Sequence, residues 1–223
     1  MNSTVDKTEV NHFDKPNQDW WDESGSFSAL HRLTPCRIEY IVQVIKRNRI
    51  NQQINSSTQI CNNLNILDVG CGGGLLCEPL SRLGGNVTGI DVSENAIITA
   101  KQHASKMGLK INYICTSLEE LNLKKDFDLI IASEVIEHVL DRKYFLKMIR
   151  KISSNKTSFI FTTINKSIPS LLFGKFAAEY ILNLIPKGTH DWEKFVTPQK
   201  LYLEALENGI YPVSYTHLTL PTN

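Results

Sequence analysis

A glycine-rich turn after a short apolar run is the first part of this sequence whose residues could do chemistry. Residues 64–69 contain four apolar side chains and Asp68, and glycines follow at positions 70, 72 and 74. Such a run is typical of a parallel strand buried on both faces, whose carboxyl end opens on a ligand crevice. Because glycine lacks Cβ, backbone N–H groups in the turn can approach a ligand closely. We therefore expect a nucleoside cofactor here.

The spacing of the glycines indicates which nucleoside binds. A dinucleotide fingerprint, G-x-G-x-x-G, requires a third glycine where this chain has Leu75. The pattern D-x-G-x-G-x-G instead resembles motif I of class I S-adenosylmethionine-dependent methyltransferases. A second run, 86–90, leads into Asp91, about 20 residues beyond the first glycine, where a carboxylate can accept hydrogen bonds from both ribose hydroxyls. The expected S-adenosylmethionine contacts are Asp68, Gly70, Gly72, Gly74 and Asp91.

Two carboxylates and an imidazole form a second reactive group. Glu134, Glu137 and His138 follow the apolar run 127–132, and on one turn of helix they would share a face. Such oxygen and nitrogen ligands can hold a divalent cation such as Mg²⁺. Alternatively, His138 could act as a general base, since its ordinary pKa of about 6.5 suits proton removal near neutral pH. Either role would assist methylation of a phenol, because the neutral phenolic oxygen is a poor nucleophile.

An α/β sheet must position these residues, because apolar runs alternate with helical patterns along the chain. Predicted strands cover 64–69, 86–91, 111–115, 127–132 and 159–163. Predicted helices cover 35–47, 75–83, 94–107, 142–151 and 198–208. Regular alternation favours a doubly wound, mostly parallel, Rossmann-like sheet, with ligands at the carboxyl ends of the strands. Ser117 and Ser133 then lie at the same crevice as the glycine turn.

Composition and charge limit the class of protein. The 223 residues, 42% of them hydrophobic, suffice for one α/β domain, which we place at 19–210 after a mobile polar tail over 1–18. A formal net charge of +1 with dispersed basic residues argues against a nucleic-acid partner. Five cysteines without a C-x-x-C pair, no signal sequence and no apolar stretch of about 18 residues predict a cytoplasmic protein.

Two other patterns in the sequence bear on the substrate that would accept the methyl group. Trp20 and Trp21 are adjacent, so they cannot both occupy one buried helix face. In one interpretation, one tryptophan anchors the N-terminal segment and the other faces a ligand. In the other, both only pack against the protein core. Between Pro169 and Pro186, apolar residues recur in pairs four apart, which predicts an amphipathic helix. That helix could lie at a membrane interface, wall a pocket for an apolar substrate, or pack on the sheet.

Several segments together resemble the ubiquinone-biosynthesis O-methyltransferase family over roughly residues 12–210. Besides the glycine motif, they are WWD at 20–22, LHRLTPCR at 30–37, VTGID at 87–91, EVIEHV at 134–139 and PKGTHDW at 186–192. The resemblance implies O-methylation of polyprenylated catechol or hydroquinone intermediates. It also implies a bacterial protein in the cytoplasm, peripheral on the inner face of the membrane, with a quinone-biosynthesis complex as a candidate partner.

The same resemblance assigns roles to individual residues. The family's cofactor-binding positions fall on Arg37, Gly70, Asp91 and Ser133, and its divalent-metal positions fall on Glu134, Glu137 and His138. Contact with membrane lipid is implied for the amphipathic insertion at 167–190. The substrate-positioning candidates are Trp21, His190 and Asp191.

The C-terminal residues depart from the family pattern. Residues 211–223 do not match the family's ending and resemble a vector-derived read-through tail. We therefore expect a truncated chain without the last antiparallel strands, an unpaired apolar edge on strand five, and poor solubility or low activity. Two alternatives to the quinone-pathway enzyme remain at this stage: a methyltransferase for another small acceptor, and an inactive cofactor-binding module.

Overall fold

The computed structural model describes residues 3–5, 19–48, 59–123, 126–163, 196–214 and 216. Within these ranges the chain forms five parallel strands, and a helix lies between each pair of consecutive strands except the third and fourth. The helices are α1 (Ser28–Asn48), α2 (Cys77–Arg82), α3 (Glu94–Lys106), α4 (Arg142–Lys151) and α5 (Pro198–Glu207). The strands are β1 (Asn65–Val69), β2 (Asn86–Asp91), β3 (Asn112–Cys115), β4 (Leu129–Ser133) and β5 (Ser158–Thr162).

The strand order of the sheet, β3-β2-β1-β4-β5, places the ligand crevice. From β1 the chain winds outward through β2 and β3 on one side, and β4 and β5 pair on the other side. The order therefore reverses between β1 and β4, and ligands of open α/β sheets bind outside the carboxyl ends of the strands at such a switch point. The glycine turn and Glu134 follow these two strands, so the predicted parallel, doubly wound class is confirmed.

Alternate residues along β1 bury themselves in two separate cores. Ile66 belongs to a cluster with side chains of α1, α2 and α3, whereas Leu67 belongs to a cluster with side chains of α4 and α5. Successive side chains of a strand point to opposite faces of the sheet. Helices thus cover both faces, which is why β1 is mainly apolar rather than alternating.

Helix α1 begins earlier than the sequence predicts. The proline at position 35 favours a helix start there, but the helix runs from Ser28 and contains Pro35 within it. The Thr34 hydroxyl, one residue before the proline, donates to the Leu30 carbonyl at 2.8 Å. Leu30 also packs against the cluster that contains Trp20, and this packing outweighs the local cost of the proline.

Helix α4 begins at a side-chain cap whose removal should be measurable. Exposed Asp141 accepts a hydrogen bond from the Tyr144 amide through Oδ1 at 2.9 Å. Loss of such a cap typically costs about 1 kcal/mol. We expect Asp141→Ala to lower Tm by about 2–4 °C in a chain of this size. Asp141→Ser retains a capping oxygen and should unfold close to the unmodified chain; equal losses in both variants would contradict the assignment.

Parts of the predicted domain map fall outside the described residues, including the insertion at 167–190 and most of the N-terminal tail. The described part of that tail, residues 3–5, contacts the body of the protein. Val5 forms an antiparallel bridge with Val139, and the Leu140 amide donates to the Thr4 carbonyl at 3.1 Å. In the described ranges, β5 pairs with β4 alone. No helix in those ranges combines the length and apolarity needed to cross a membrane.

Candidate active site

The glycine turn after β1 is held between the ends of β2 and β4. The amides of Gly70 and Cys71 both donate to the Ile90 carbonyl, at 2.8 and 3.0 Å. Gly70 has φ +71°, and a Cβ at this position would lie 2.4 Å from Cγ2 of Val135 in the segment after β4. Glycine is required here both by the left-handed backbone and by this close approach. The turn therefore lies directly beside the carboxylate-bearing segment.

Asp91, at the end of β2, orients the turn through its carboxylate. Oδ2 accepts a hydrogen bond from the Gly72 amide at 2.8 Å, and Oδ1 accepts one from the Ser93 amide at 2.9 Å. A carboxylate has lone pairs beyond these two bonds. Asp91 thus has the position and acceptor capacity that the ribose-binding prediction requires.

Asp68 lies deeper than the turn that follows it. Its side chain is only 2% exposed, and the Cys77 thiol donates to its Oδ2 at 3.2 Å. Burial raises the pKa of Asp68 to about 7, and the nearby Asp91 charge acts in the same direction. Burial likewise raises the pKa of the Cys71 thiol to about 11. These contacts tie the end of β1 to α2, so they favour support of the turn as the role of Asp68.

The raised pKa of Asp68 makes a pH dependence of stability testable. The folded state binds this proton more tightly than the unfolded state, whose aspartate pKa is about 3.9. The associated stability is therefore fully present below about pH 4 and is lost as pH rises through about 7. Urea denaturation of the ligand-free protein should show a smaller decline in unfolding free energy between pH 5 and 8 for Asp68→Asn than for the unmodified chain. An identical decline of unfolding free energy in both chains would count against a raised pKa of Asp68.

Glu134 follows β4 at the crevice and has an unusual backbone conformation. Its φ is +56°, and its amide donates to the Thr162 carbonyl of β5 at 2.9 Å. Its carboxylate forms an ion pair with buried Arg37 of α1 at 3.1 Å and accepts a hydrogen bond from the Thr162 hydroxyl at 2.9 Å. The side chain is therefore held from two sides, which offsets the strain of a left-handed, non-glycine residue.

Glu137 is buried next to Glu134. Its side chain is 3% exposed, and Oε2 accepts a hydrogen bond from the Thr163 hydroxyl at 2.8 Å. Burial raises the pKa of Glu137, and the neighbouring Glu134 carboxylate raises it further. Two neighbouring carboxylates, one of them buried, repel each other unless a proton or a cation lies with them. Arg37 supplies one positive charge at Glu134, and a bound cation would compensate the charge of Glu137.

The predicted helical face of Glu134, Glu137 and His138 is wrong in its geometry. A short 3₁₀ turn covers Ile136–His138, and Glu134 lies outside it in the left-handed region. The hydrogen bonds of Glu134 to β5 prevent the regular helical turn that places i, i+3 and i+4 together. In the portion of the chain that is described, no three His, Cys, Asp or Glu side chains form a metal-binding group. The two carboxylates still fit Mg²⁺, which often takes one or two protein carboxylates and fills its shell with water and substrate oxygens.

The remaining predicted site residues are dispersed. Ser117 follows β3, and its hydroxyl accepts a hydrogen bond from the Glu120 amide at 3.3 Å. The Ser133 hydroxyl lies 2.8 Å from that of Thr162, at the end of β4. The indole of Trp21 donates to the Gly73 carbonyl at 3.1 Å, so it contacts the glycine turn. His190 and Asp191 lie outside the described residues.

Sequence reasoning missed the two threonines at the end of β5. Thr162 and Thr163 each donate a hydrogen bond to one of the paired carboxylates. A signal was present, because consecutive hydroxyl residues follow a mainly apolar run at a strand end that must open on the crevice. Which carboxylate each threonine would contact depends on the pairing of β4 with β5, which is set by long-range contacts.

Comparison with known proteins gives concordant results. A protein-family model described as a methyltransferase domain matches residues 67–161. A ubiquinone biosynthesis O-methyltransferase of Bradyrhizobium diazoefficiens is 42% identical over 208 residues, which are 93% of this chain and 81% of the relative. The protein of the same name in Pelagibacter ubique is 46% identical over 211 residues, covering 94% of this chain and 86% of the relative.

Solved structures agree on the fold. The plantazolicin methyltransferase BpumL, solved in complex with SAH, gives a TM-score of 0.62 at 17% identity and covers 88% of this chain and 71% of its own. A SAM-dependent methyltransferase from Aquifex aeolicus gives 0.58 at 18% identity, covering 92% and 88%. These likenesses show the class I methyltransferase fold, whereas the more specific assignment comes from the curated relatives. With that identity over nine-tenths of its length, the chain belongs to the ubiquinone biosynthesis O-methyltransferase family.

Proposed function

We propose that this chain transfers the methyl group of S-adenosylmethionine to a phenolic oxygen of polyprenylated intermediates of ubiquinone biosynthesis, of the 2-polyprenyl-6-hydroxyphenol and 3-demethylubiquinol type. One observation supports the proposal most strongly. The glycine turn contacts Val135 at Gly70, and Val135 lies between Glu134 and the 3₁₀ turn that carries Glu137. A methyl donor on the turn would therefore be adjacent to groups that can activate a phenol.

The cofactor half of the reaction requires binding and orientation. Asp91 would accept hydrogen bonds from the ribose hydroxyls, and the glycine turn, which lacks side chains, would let the nucleoside lie close to the backbone. Arg37 carries a guanidinium with five donors, so it can retain Glu134 and also pair with the carboxylate of the cofactor. The sulfonium supplies an already activated methyl group, so no covalent enzyme intermediate is needed.

The acceptor half requires a deprotonated phenol in line with the methyl carbon. Glu134 and Glu137 would hold Mg²⁺, a cation that stabilises a phenolate oxygen by charge. Alternatively, a side chain at this position, with His138 as the candidate base, removes the phenolic proton. In either case the protein would have to align the phenolic oxygen, the methyl carbon and the sulfur for in-line displacement, with water excluded.

A polyprenyl tail calls for an apolar surface next to the crevice. The amphipathic segment at 167–190 follows β5 in the sequence, and its pattern suits contact with such a tail or with a lipid surface. We propose peripheral membrane contact through this segment, and docking of the same segment in a quinone-biosynthesis complex. Flotation with anionic lipid vesicles would test the lipid contact, and failure to float would oppose it.

Transfer of a labelled methyl group distinguishes the proposal from its competitors. We expect label from S-adenosylmethionine to appear on catechols that carry a short prenyl chain, and not on matched anilines or thiols. Repeating the assay with a chelator and then with added Mg²⁺ separates coordination from base catalysis. Label on amines alone, or tight S-adenosylhomocysteine binding with no transfer to any acceptor, would overturn the proposed function.

A further inference from the structure

The Trp20–Trp21 pair contacts the glycine turn from outside the sheet. The indole N–H of Trp21 donates to the Gly73 carbonyl at 3.1 Å across 52 residues of sequence. The Trp20 ring packs on the same turn so closely that a Cβ on Gly73 would lie 2.4 Å from its Cβ and Cγ atoms. Such an approach needs residues without side chains on the turn. The turn is thus fixed by an aromatic surface as well as by Asp91.

Each tryptophan is itself held in place. The Trp20 ring stacks on Phe27 with centroids 3.9 Å apart and an interplanar angle of 9°. Nε2 of His31, on α1, donates to the Trp20 carbonyl at 2.9 Å. These contacts connect the tryptophan pair to the helix that also carries Arg37. Movement of the pair relative to the turn would therefore break several contacts together.

The Trp21 ring rests on a platform built by two other helices. It stacks on the His103 ring of α3 with centroids 3.5 Å apart and an interplanar angle of 9°. Nδ1 of His103 donates to Oε1 of Glu78 on α2 at 2.6 Å, and the Glu78 side chain is 2% exposed. The orientation of the histidine ring is therefore fixed by a buried carboxylate. This orientation in turn directs the indole N–H at the Gly73 carbonyl.

We infer that Trp21 is a positioning residue for the cofactor turn, with His103 and Glu78 as its supports. The Gly73 carbonyl accepts from the indole, and the amide of the same peptide unit, on Gly74, donates to the Cys71 carbonyl at 2.9 Å. This peptide unit is therefore held from both sides, and the turn keeps its shape before a ligand arrives. A preorganised turn binds a ligand more tightly, because less freedom is lost on binding. The inference rests on the proposed function only in taking S-adenosylmethionine as the ligand. It assigns Trp21 to the cofactor side of the site, away from the acceptor role expected from the sequence.

The test uses Trp21→Phe, which keeps a ring for stacking and removes the N–H donor. We expect S-adenosylhomocysteine to bind about fivefold more weakly by calorimetry, as suits loss of one neutral hydrogen bond. KM for S-adenosylmethionine should rise by a similar factor while kcat at saturating cofactor stays unchanged. Amide hydrogen exchange of residues 72–75 should accelerate in the ligand-free protein. A His103→Leu variant should show the same changes, since it removes the stacking partner.

Tyr202→Phe is the matched control, because it likewise keeps an aromatic ring and removes one polar donor, here the hydroxyl of an exposed side chain of α5. It should leave affinity and exchange at 72–75 unaltered. Unchanged S-adenosylhomocysteine affinity in Trp21→Phe, or faster exchange spread over the whole sheet, would overturn the inference. Loss of kcat without a change in KM would do so as well. The exchange measurement needs no ligand, so it still reports on Trp21 if the unmodified protein fails to bind S-adenosylhomocysteine, an outcome that would instead count against the proposed function.

Discussion

Replacing Asp91 with alanine should weaken S-adenosylhomocysteine binding by about 100-fold or more. Two ribose hydroxyls lose a charged acceptor, and each such hydrogen bond contributes about 1.5–3 kcal/mol; a tenfold change in affinity corresponds to about 1.4 kcal/mol. The Gly72 and Ser93 amides also lose the oxygens that orient them. Calorimetric titration with S-adenosylhomocysteine measures the effect directly.

Two further variants make that result specific. Asp91→Asn retains one acceptor oxygen and should lose less affinity than Asp91→Ala. Asp126→Ala removes an exposed carboxylate that precedes β4, at the opposite end of the sheet from the crevice. Its affinity should match that of the unmodified chain. If Asp91→Ala bound the ligand as tightly as Asp126→Ala, Asp91 would have no part in ribose recognition.

Replacing Glu137 with glutamine should lower kcat/KM for a prenylated catechol by about 100-fold or more, within the range found for groups that assist proton removal. The substitution keeps the shape of the side chain and an oxygen that can accept from the Thr163 hydroxyl, so folding should be preserved. Affinity for S-adenosylhomocysteine should change by less than about threefold, under 1 kcal/mol. Initial rates and calorimetry on the same preparation measure the two effects.

The matched control is Glu39→Gln, which changes an exposed carboxylate of α1. It should retain full activity. Mg²⁺ should raise the Tm of the unmodified protein at pH 8, above the raised pKa of about 7 of Glu137, and should have no effect on Glu137→Gln. Full activity in Glu137→Gln would remove the residue from the acceptor chemistry. If Mg²⁺ raised the Tm of both proteins by the same amount, the cation would bind somewhere other than Glu137.

The sequence was most informative where local pattern and global fold impose the same demand. The run at 64–69 is apolar because β1 is covered on both faces, and Asp91 is identifiable because a parallel neighbour ends beside the glycine turn. The helix predicted from residue 94 is confirmed, and the Ser93 hydroxyl caps it by accepting the Ala96 amide of α3 at 3.1 Å. These features depend on neighbours close in sequence or on the regular geometry of the sheet.

Features that depend on contacts between distant segments could not be predicted from the sequence. Glu134 adopts a left-handed backbone because β5 and Arg37 hold it, so its spacing to Glu137 gave a misleading helical face. Pro35 lies inside α1 because packing outweighs its local preference. The stacking of Trp21 on His103 joins residues 82 positions apart and leaves no periodic trace in the sequence.

The buried thiols of Cys71 and Cys77, in and next to the glycine turn, bear on whether a bound methyl donor could alkylate the protein. Cys71 lies within the turn, and the thiolate form of a cysteine is the nucleophile that a sulfonium would alkylate. With its pKa raised to about 11 by burial, only roughly one Cys71 in ten thousand is ionised at pH 7. Burial also raises the pKa of the Cys77 thiol, which donates a hydrogen bond to Asp68. Burial therefore favours the protonated thiols, which are poor nucleophiles toward a sulfonium.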